Sequence, residues 1–129
     1  MGQQQLLLIV LGTIIVGVAV VVGINMFTTG AINAERDALL QDVNNIASVA
    51  AAYWRKPAAL GSGARSFVGV TTVTTFGAAD SNANGAFEIT TTATATDFGV
   101  TATGWNEGVI IVATVTQNGV SGTPTITLP

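Results

Sequence analysis

The sequence predicts an α+β protein in which a long N-terminal helix, apolar in its first half and amphipathic in its second, packs on a small C-terminal antiparallel sheet of about four or five strands. Three observations carry that expectation. Leu6 to Phe27 reads LLLIVLGTIIVGVAVVVGINMF and contains neither a charged residue nor a proline. Leu39, Val43, Ile46, Ala50 and Tyr53 then recur at helical spacing, widened into a stripe by Leu40, Ala47 and Trp54. Beyond Ser66 the period drops to two, and roughly a quarter of the residues are threonine, a β-branched residue suited to a strand surface facing water.

The first stretch sets the organisation. At a rise of about 1.5 Å per residue, Leu6 to Phe27 reaches across a hydrocarbon core of about 30 Å. A signal peptide would offer a shorter apolar core behind a basic leader. Here Met1-Gly2-Gln3-Gln4-Gln5 is uncharged and the first cation is Arg36, so the basic flank that orients a single span is missing. A short basic leader, removed next to Met1, is therefore expected in the precursor. Gly12, Gly17 and Gly23, with Gly30 after them, punctuate the run. Each glycine costs up to about 1 kcal/mol in a water-exposed helix. In lipid, small residues permit close helix approach, and in a crowded bundle they mark places where a helix bends or unwinds; glycine-containing spans also occur with neither purpose. Residues 1–30 are thus a transmembrane or filament-core helix, and residues 31–129 the amphipathic half of that helix plus a globular sheet domain.

One nearly continuous helix is expected from Gly2 to Trp54, its polar side in the second half carrying Glu35, Asp37, Asp42, Asn44, Asn45 and Ser48. Arg55-Lys56-Pro57 ends it, with cations at the negative pole and a proline that cannot continue the helix. Ala58 to Ala64 is a glycine-rich connection. Ser66 to Phe76 reads as a first strand. Phe87, Ile89, Thr91, Ala93 and Ala95 alternate with polar partners, Phe98, Val100 and Ala102 continue the alternation, and Val109, Ile111, Ala113 and Val115 form another run. Gln117-Asn118-Gly119 is a turn before a last strand, Thr123 to Leu128.

Composition excludes several functions. Cysteine is absent, so there are no disulfides and no thiolate metal sites, and histidine is absent, which removes the usual general base. Seven acidic residues against four scattered cations offer no track for a phosphate backbone, so no specific nucleic-acid site is visible. Ser62, Ser66 and Ser81 have no histidine to activate them, and no carboxylate pair has an identifiable pocket, so an enzyme is not expected. Asp80, Asn82 and Asn84, followed by Gly85, match the first half of a calcium loop, D-x-N-x-N-G. The distal glutamate position falls on Thr91, with Glu88 three residues early, and Asn-Gly is equally a favoured hairpin turn. Calcium is the one candidate cofactor. Tyr53 and Trp54 beside Arg55 and Lys56 suit either a cation–π or sugar-stacking site or, more simply, the core at the end of a packed helix. The threonine-rich strands suit O-linked glycans or plain strand propensity.

Met1 followed by a short polar stretch, the apolar run opening Leu6-Leu7-Leu8-Ile9-Val10, the uninterrupted passage into amphipathic Ala31 to Trp54, and a small terminal sheet together resemble the type IV pilin family. The resemblance implies a structural subunit, a major pilin, made with a short leader that a prepilin peptidase removes before methylating Met1. Such a subunit waits in the inner (cytoplasmic) membrane and is polymerised by pilus assembly machinery into an extracellular helical filament of identical copies, serving adhesion, motility or DNA uptake. Three departures stand out. Gln5 occupies the place where most members have a glutamate thought to pair with a neighbour's N-terminal amine, which leaves Gln3, Gln4 and Gln5 to satisfy one another, Thr13 of a neighbouring helix, or that amine. The helix-kinking proline of many pilins is missing, with Gly17 and Gly23 the nearest substitutes, and so is the terminal cysteine pair. A pseudopilin of a secretion system and a single-span membrane-anchored binding module are the alternative readings.

Overall fold

A computed structural model describes residues 2–60 and 64–129. Met1, with the expected N-terminal role, and Gly61, Ser62 and Gly63 of the glycine-rich connection lie outside the described residues. The elements are α1 (Gly2–Arg55), a short 3₁₀ turn at Ala58–Leu60, a second at Val73–Phe76, and strands β1 (Gly85–Thr91), β2 (Asp97–Gly104), β3 (Ile110–Thr116) and β4 (Gly119–Thr127). The long N-terminal helix and four-stranded antiparallel sheet form the α+β architecture that the periodicities predict. The chain divides into two compact units, Met1–Asn33 and Ala34–Pro129.

In the first unit, every residue from Gly2 to Gly30 is helical and exposed. Gly12, Gly17 and Gly23 sit in unbroken helix with open space where a Cβ would stand. The hydroxyls of Thr13, Thr28 and Thr29 donate to carbonyls four residues back, at Ile9, Ile24 and Asn25 (2.8, 3.1 and 2.9 Å), so these polar groups are satisfied within the helix.

The second unit has the core. Leu39, Val43, Ile46, Ala47 and Ala50 of α1 are buried, as the helical stripe requires. They meet the inner face of the sheet, where Phe87, Phe98, Val100, Ala102, Ile111, Ala113 and Val115 are buried at alternate positions. The strands run in sequence order, β1-β2-β3-β4, each pair antiparallel. Glu88, Thr101, Val112 and Thr125 therefore form one row on the outer face, and the hydroxyls of Thr90 and Thr101 hydrogen-bond across strands at 2.9 Å. β4 is an edge strand interrupted by Gly122 (φ +68°) and Pro124, opposite a register shift between Val112 and Thr114, which blunts the edge against pairing with other chains.

Two expectations need correction. Ser66 to Phe76 is not a strand but turns ending in the 3₁₀ segment Val73–Phe76. Its buried residues Phe67, Val70, Val73 and Phe76 are three apart, the period of a 3₁₀ helix, which the Val/Thr composition concealed. Phe67 and Phe76 join Phe98 and Tyr53 in edge-to-face and tilted ring contacts with centroids 5.0 to 5.8 Å apart. The alternation expected through Ala93 and Ala95 is also interrupted, between β1 and β2. Thr92 to Thr96 leaves the ladder, because the Thr94 hydroxyl bonds the Asp97 carboxylate (2.7 Å) and accepts from the Asp97 amide (3.1 Å), closing a turn.

Candidate functional site

Two surfaces carry chemistry, one in each unit. The first is the apolar helix surface. Leu6 to Leu11, Ile14 to Val16, Val18, Val20 to Val22, Ile24, Met26 and Phe27 are all at least half exposed, pointing to every side of the helix. Over its most apolar 18-residue window the helix has a mean hydropathy of 3.0 with none of it buried, so it is long and apolar enough to cross a membrane. Gln3, Gln4 and Gln5 are exposed at its start, and among the described residues no side-chain hydrogen bond engages them.

The second surface is built by two acidic residues of α1, Glu35 and Asp42, seven positions apart and hence on one face. Helical periodicity places both on the water-facing side. Glu35 is in fact buried, at 8% exposure. Its carboxylate accepts backbone N–H bonds from Asn106 (2.9 Å), Glu107 (3.0 Å) and Val109 (3.4 Å), fastening the loop between β2 and β3. Gly104 makes room for it, since a Cβ at that position would overlap the Glu35 carboxylate. Asp42 Oδ2 in turn accepts from the side-chain amides of Asn82 (3.0 Å) and Asn84 (2.7 Å).

The calcium-like loop is therefore committed to the helix. Asn82 Oδ1 accepts from the backbone N–H groups of Asn84 (2.8 Å) and Gly85 (3.1 Å), an Asx turn that fixes which way the amide faces. Asn84 directs its nitrogen at Asp42, and the Asp80 carbonyl accepts from Phe87 N–H. Asn82 and Asn84 thus both turn their side-chain nitrogens to Asp42, and the Asn82 oxygen is engaged by the loop's own backbone. Gly85 opens β1 rather than forming a hairpin turn. A Cβ there would strike the Thr103 carbonyl and come within 3.0 Å of Leu39 Cδ2, so close approach and not turn geometry calls for glycine.

The two fastened loops meet at Trp105. Its indole N–H donates to the Asn82 carbonyl at 2.8 Å and its amide to the Asn84 carbonyl at 3.3 Å, yet the side chain is 58% exposed. Nothing in the spacing of Trp105 sets it apart in the sequence. At the C-terminal end of α1, half-buried Tyr53 packs on Phe76, and half-buried Trp54 donates its indole N–H to the Ala95 carbonyl (3.0 Å). The cation over the Trp54 ring is Arg65, at 5.8 Å. Along the outer edge of β1 lies an open groove of about 460 Å³, lined by Thr71, Thr72, Ser81, Ile89 and two carboxylates, Asp80 and Glu88. The sequence did not indicate that these two acids share a groove. Among the described residues no group of three or more His, Cys, Asp or Glu side chains forms a metal cluster.

Comparison with known proteins finds no family model that matches the chain, and no curated protein or solved structure that matches it.

Proposed function

We infer that the protein is a structural subunit, the major subunit of a type IV pilus-like filament, held by its apolar helix in a membrane and then polymerised through that helix into an extracellular helical fibre. The observation that carries this reading is the exposure, by half or more, of every large apolar side chain on all sides of α1 between Leu6 and Phe27. A Leu, Ile or Val left in water forgoes about 1.5–3 kcal/mol relative to burial. A helix apolar all round therefore requires an apolar surrounding along its whole circumference. A bilayer supplies that before assembly, and a bundle of identical helices supplies it afterwards. Gly12, Gly17 and Gly23 add places where backbones come close. Gln3, Gln4 and Gln5 bring polar groups that pair across copies without a buried unpaired charge.

The resemblance to type IV pilins supports the same reading through the order of elements: uncharged start, apolar run, amphipathic helix, small sheet. Electron microscopy of material shed from cells making the full chain tests it. Long filaments composed of this chain are the expected result. A chain that stays in the membrane fraction and never forms filaments would leave the single-span anchored module in its place, and short stubs would favour a pseudopilin.

A further inference from the structure

All of the chain's charged residues lie in the second unit, and they are unevenly placed along it. Near the Glu35 end are Asp37, Asp42 and Glu107, while the one cation there, Arg36, is paired with Asp37 at 3.1 Å, and Asp80 and Glu88 share the groove along β1. The remaining cations, Arg55, Lys56 and Arg65, gather at the C-terminal end of α1, twenty residues or about 30 Å along the helix from Glu35. The acid at that end, Asp97, is bonded to Thr94.

Trp105 stands at the acidic end. Phe67, Phe76, Phe87 and Phe98 are buried, and Tyr53 and Trp54 are half-buried, which makes Trp105 the most exposed described aromatic of this unit. Its ring is held by the bond to Asn82, whose own amide is held by Asp42, on a loop fastened at three N–H groups by Glu35. An exposed indole immobilised in this way loses little entropy on binding, the property of an interface anchor. An exposed aromatic face attracts a guanidinium, and Glu107, two residues along, and Asp42, joined to the indole's acceptor residue Asn82, add negative charge to this end.

From these observations we propose that Trp105, with Glu107 and Asp42 beside it, receives the basic end of a second copy, with the exposed Arg55 guanidinium set over the indole. This inference rests on the filament reading and names a contact for it. The two ends are too far apart to meet within one chain, so the contact joins copies, and in a filament of copies that all point the same way it is head-to-tail and repeats along the fibre. Rim charges around it are screened by salt within a Debye length of about 8 Å at physiological ionic strength.

The test uses filaments of the full chain and three variants, Trp105→Ala, Trp105→Phe and Arg55→Glu. Critical concentration for assembly is measured by sedimentation at low and high salt, and domain melting in detergent confirms folding. Trp105→Ala and Arg55→Glu each raise the critical concentration about tenfold, the worth of one desolvated cation–π contact. Trp105→Phe, which keeps a ring, lies between Ala and the parent. The parent loses part of its advantage over Arg55→Glu as salt rises. Folded variants that assemble at the parental concentration, with the parental salt dependence, overturn the contact while leaving the filament reading intact. A parent chain that forms no filament under any condition overturns both.

Discussion

The two stretches of α1 are equally helical and answer to different surroundings. From Gly2 to Gly30 no charge interrupts the apolar side chains and all of them are exposed, whereas from Ala34 to Arg55 the apolar residues keep to a stripe that is buried. Periodicity is the signature of a helix whose partner is in its own chain, because a sheet covers only one side. Loss of periodicity, with apolar character kept, is the signature of a partner that surrounds the helix and comes from elsewhere. The comparison also locates stability: the fold of residues 34–129 rests on its own core, and substitutions in the first stretch should alter where the protein goes and what it joins without altering how that domain melts.

The sharpest way to break this separation is a charge in the first stretch. Ile14→Lys places an ammonium in the middle of the apolar run, at a cost of about 2.5–3.5 kcal/mol in a bilayer. Carbonate extraction of membranes should release the variant where the parent is retained, and filaments should be absent, while the melting temperature of the domain in detergent is unchanged. A lowered melting temperature would show that the two stretches are energetically coupled.

The converse variant is Phe98→Ala, which empties the centre of the ring cluster with Phe67 and Phe76. Truncating a buried Phe costs about 3–5 kcal/mol. Domain melting should fall accordingly, with membrane retention of the chain preserved. Retained stability would mean that the aromatic cluster is not the centre of the core.

Glu35 sharpens the comparison where the second stretch begins. Glu35→Ala leaves three backbone N–H groups of the β2–β3 loop without their acceptor and should destabilise the domain by about 2–3 kcal/mol, and Glu35→Gln, which keeps one acceptor oxygen, by about 1–2 kcal/mol. Gly104→Ala pushes a methyl into the carboxylate and should cost a similar amount, but much less in a Glu35→Ala background. Additive losses in that double-mutant cycle would show that Gly104 matters for another reason.

What the sequence disclosed and what it hid divide along the same physical line. The helix to within a residue of its end, the buried stripe Leu39-Val43-Ile46-Ala50, and the alternating core positions Phe98-Val100-Ala102 and Ile111-Ala113-Val115 were legible because burial imposes a period. Glu35 was not, since a carboxylate on the margin of an amphipathic helix looks the same whether water or three loop amides solvate it. The 3₁₀ segment was misread as a strand because its β-branched composition outweighed a three-residue spacing of Phe67, Val70, Val73 and Phe76. Trp105 and the groove shared by Asp80 and Glu88 depend on contacts between residues far apart in sequence, which no local pattern encodes.

The smallest expected effect concerns Asp42 and the loop it holds. Asp42→Ala removes the acceptor for the Asn82 and Asn84 amides, but both lie near the surface and water can replace the carboxylate, so the loss should be about 1 kcal/mol. For a domain of this size that is a fall of about 4–8 °C in melting temperature. The same measurement decides what the D-x-N-x-N-G resemblance means. With Asn82 Oδ1 accepting two backbone N–H bonds and the Asn82 and Asn84 side-chain nitrogens held by Asp42, binding a hard cation would require these bonds to be given up, so no stabilisation by calcium is expected. Millimolar calcium should therefore leave the parent's melting temperature where it was. A rise on adding calcium that Asp80→Asn abolishes would show that the loop rearranges to bind the ion, and that its attachment to α1 through Asp42 is the weaker of two alternatives.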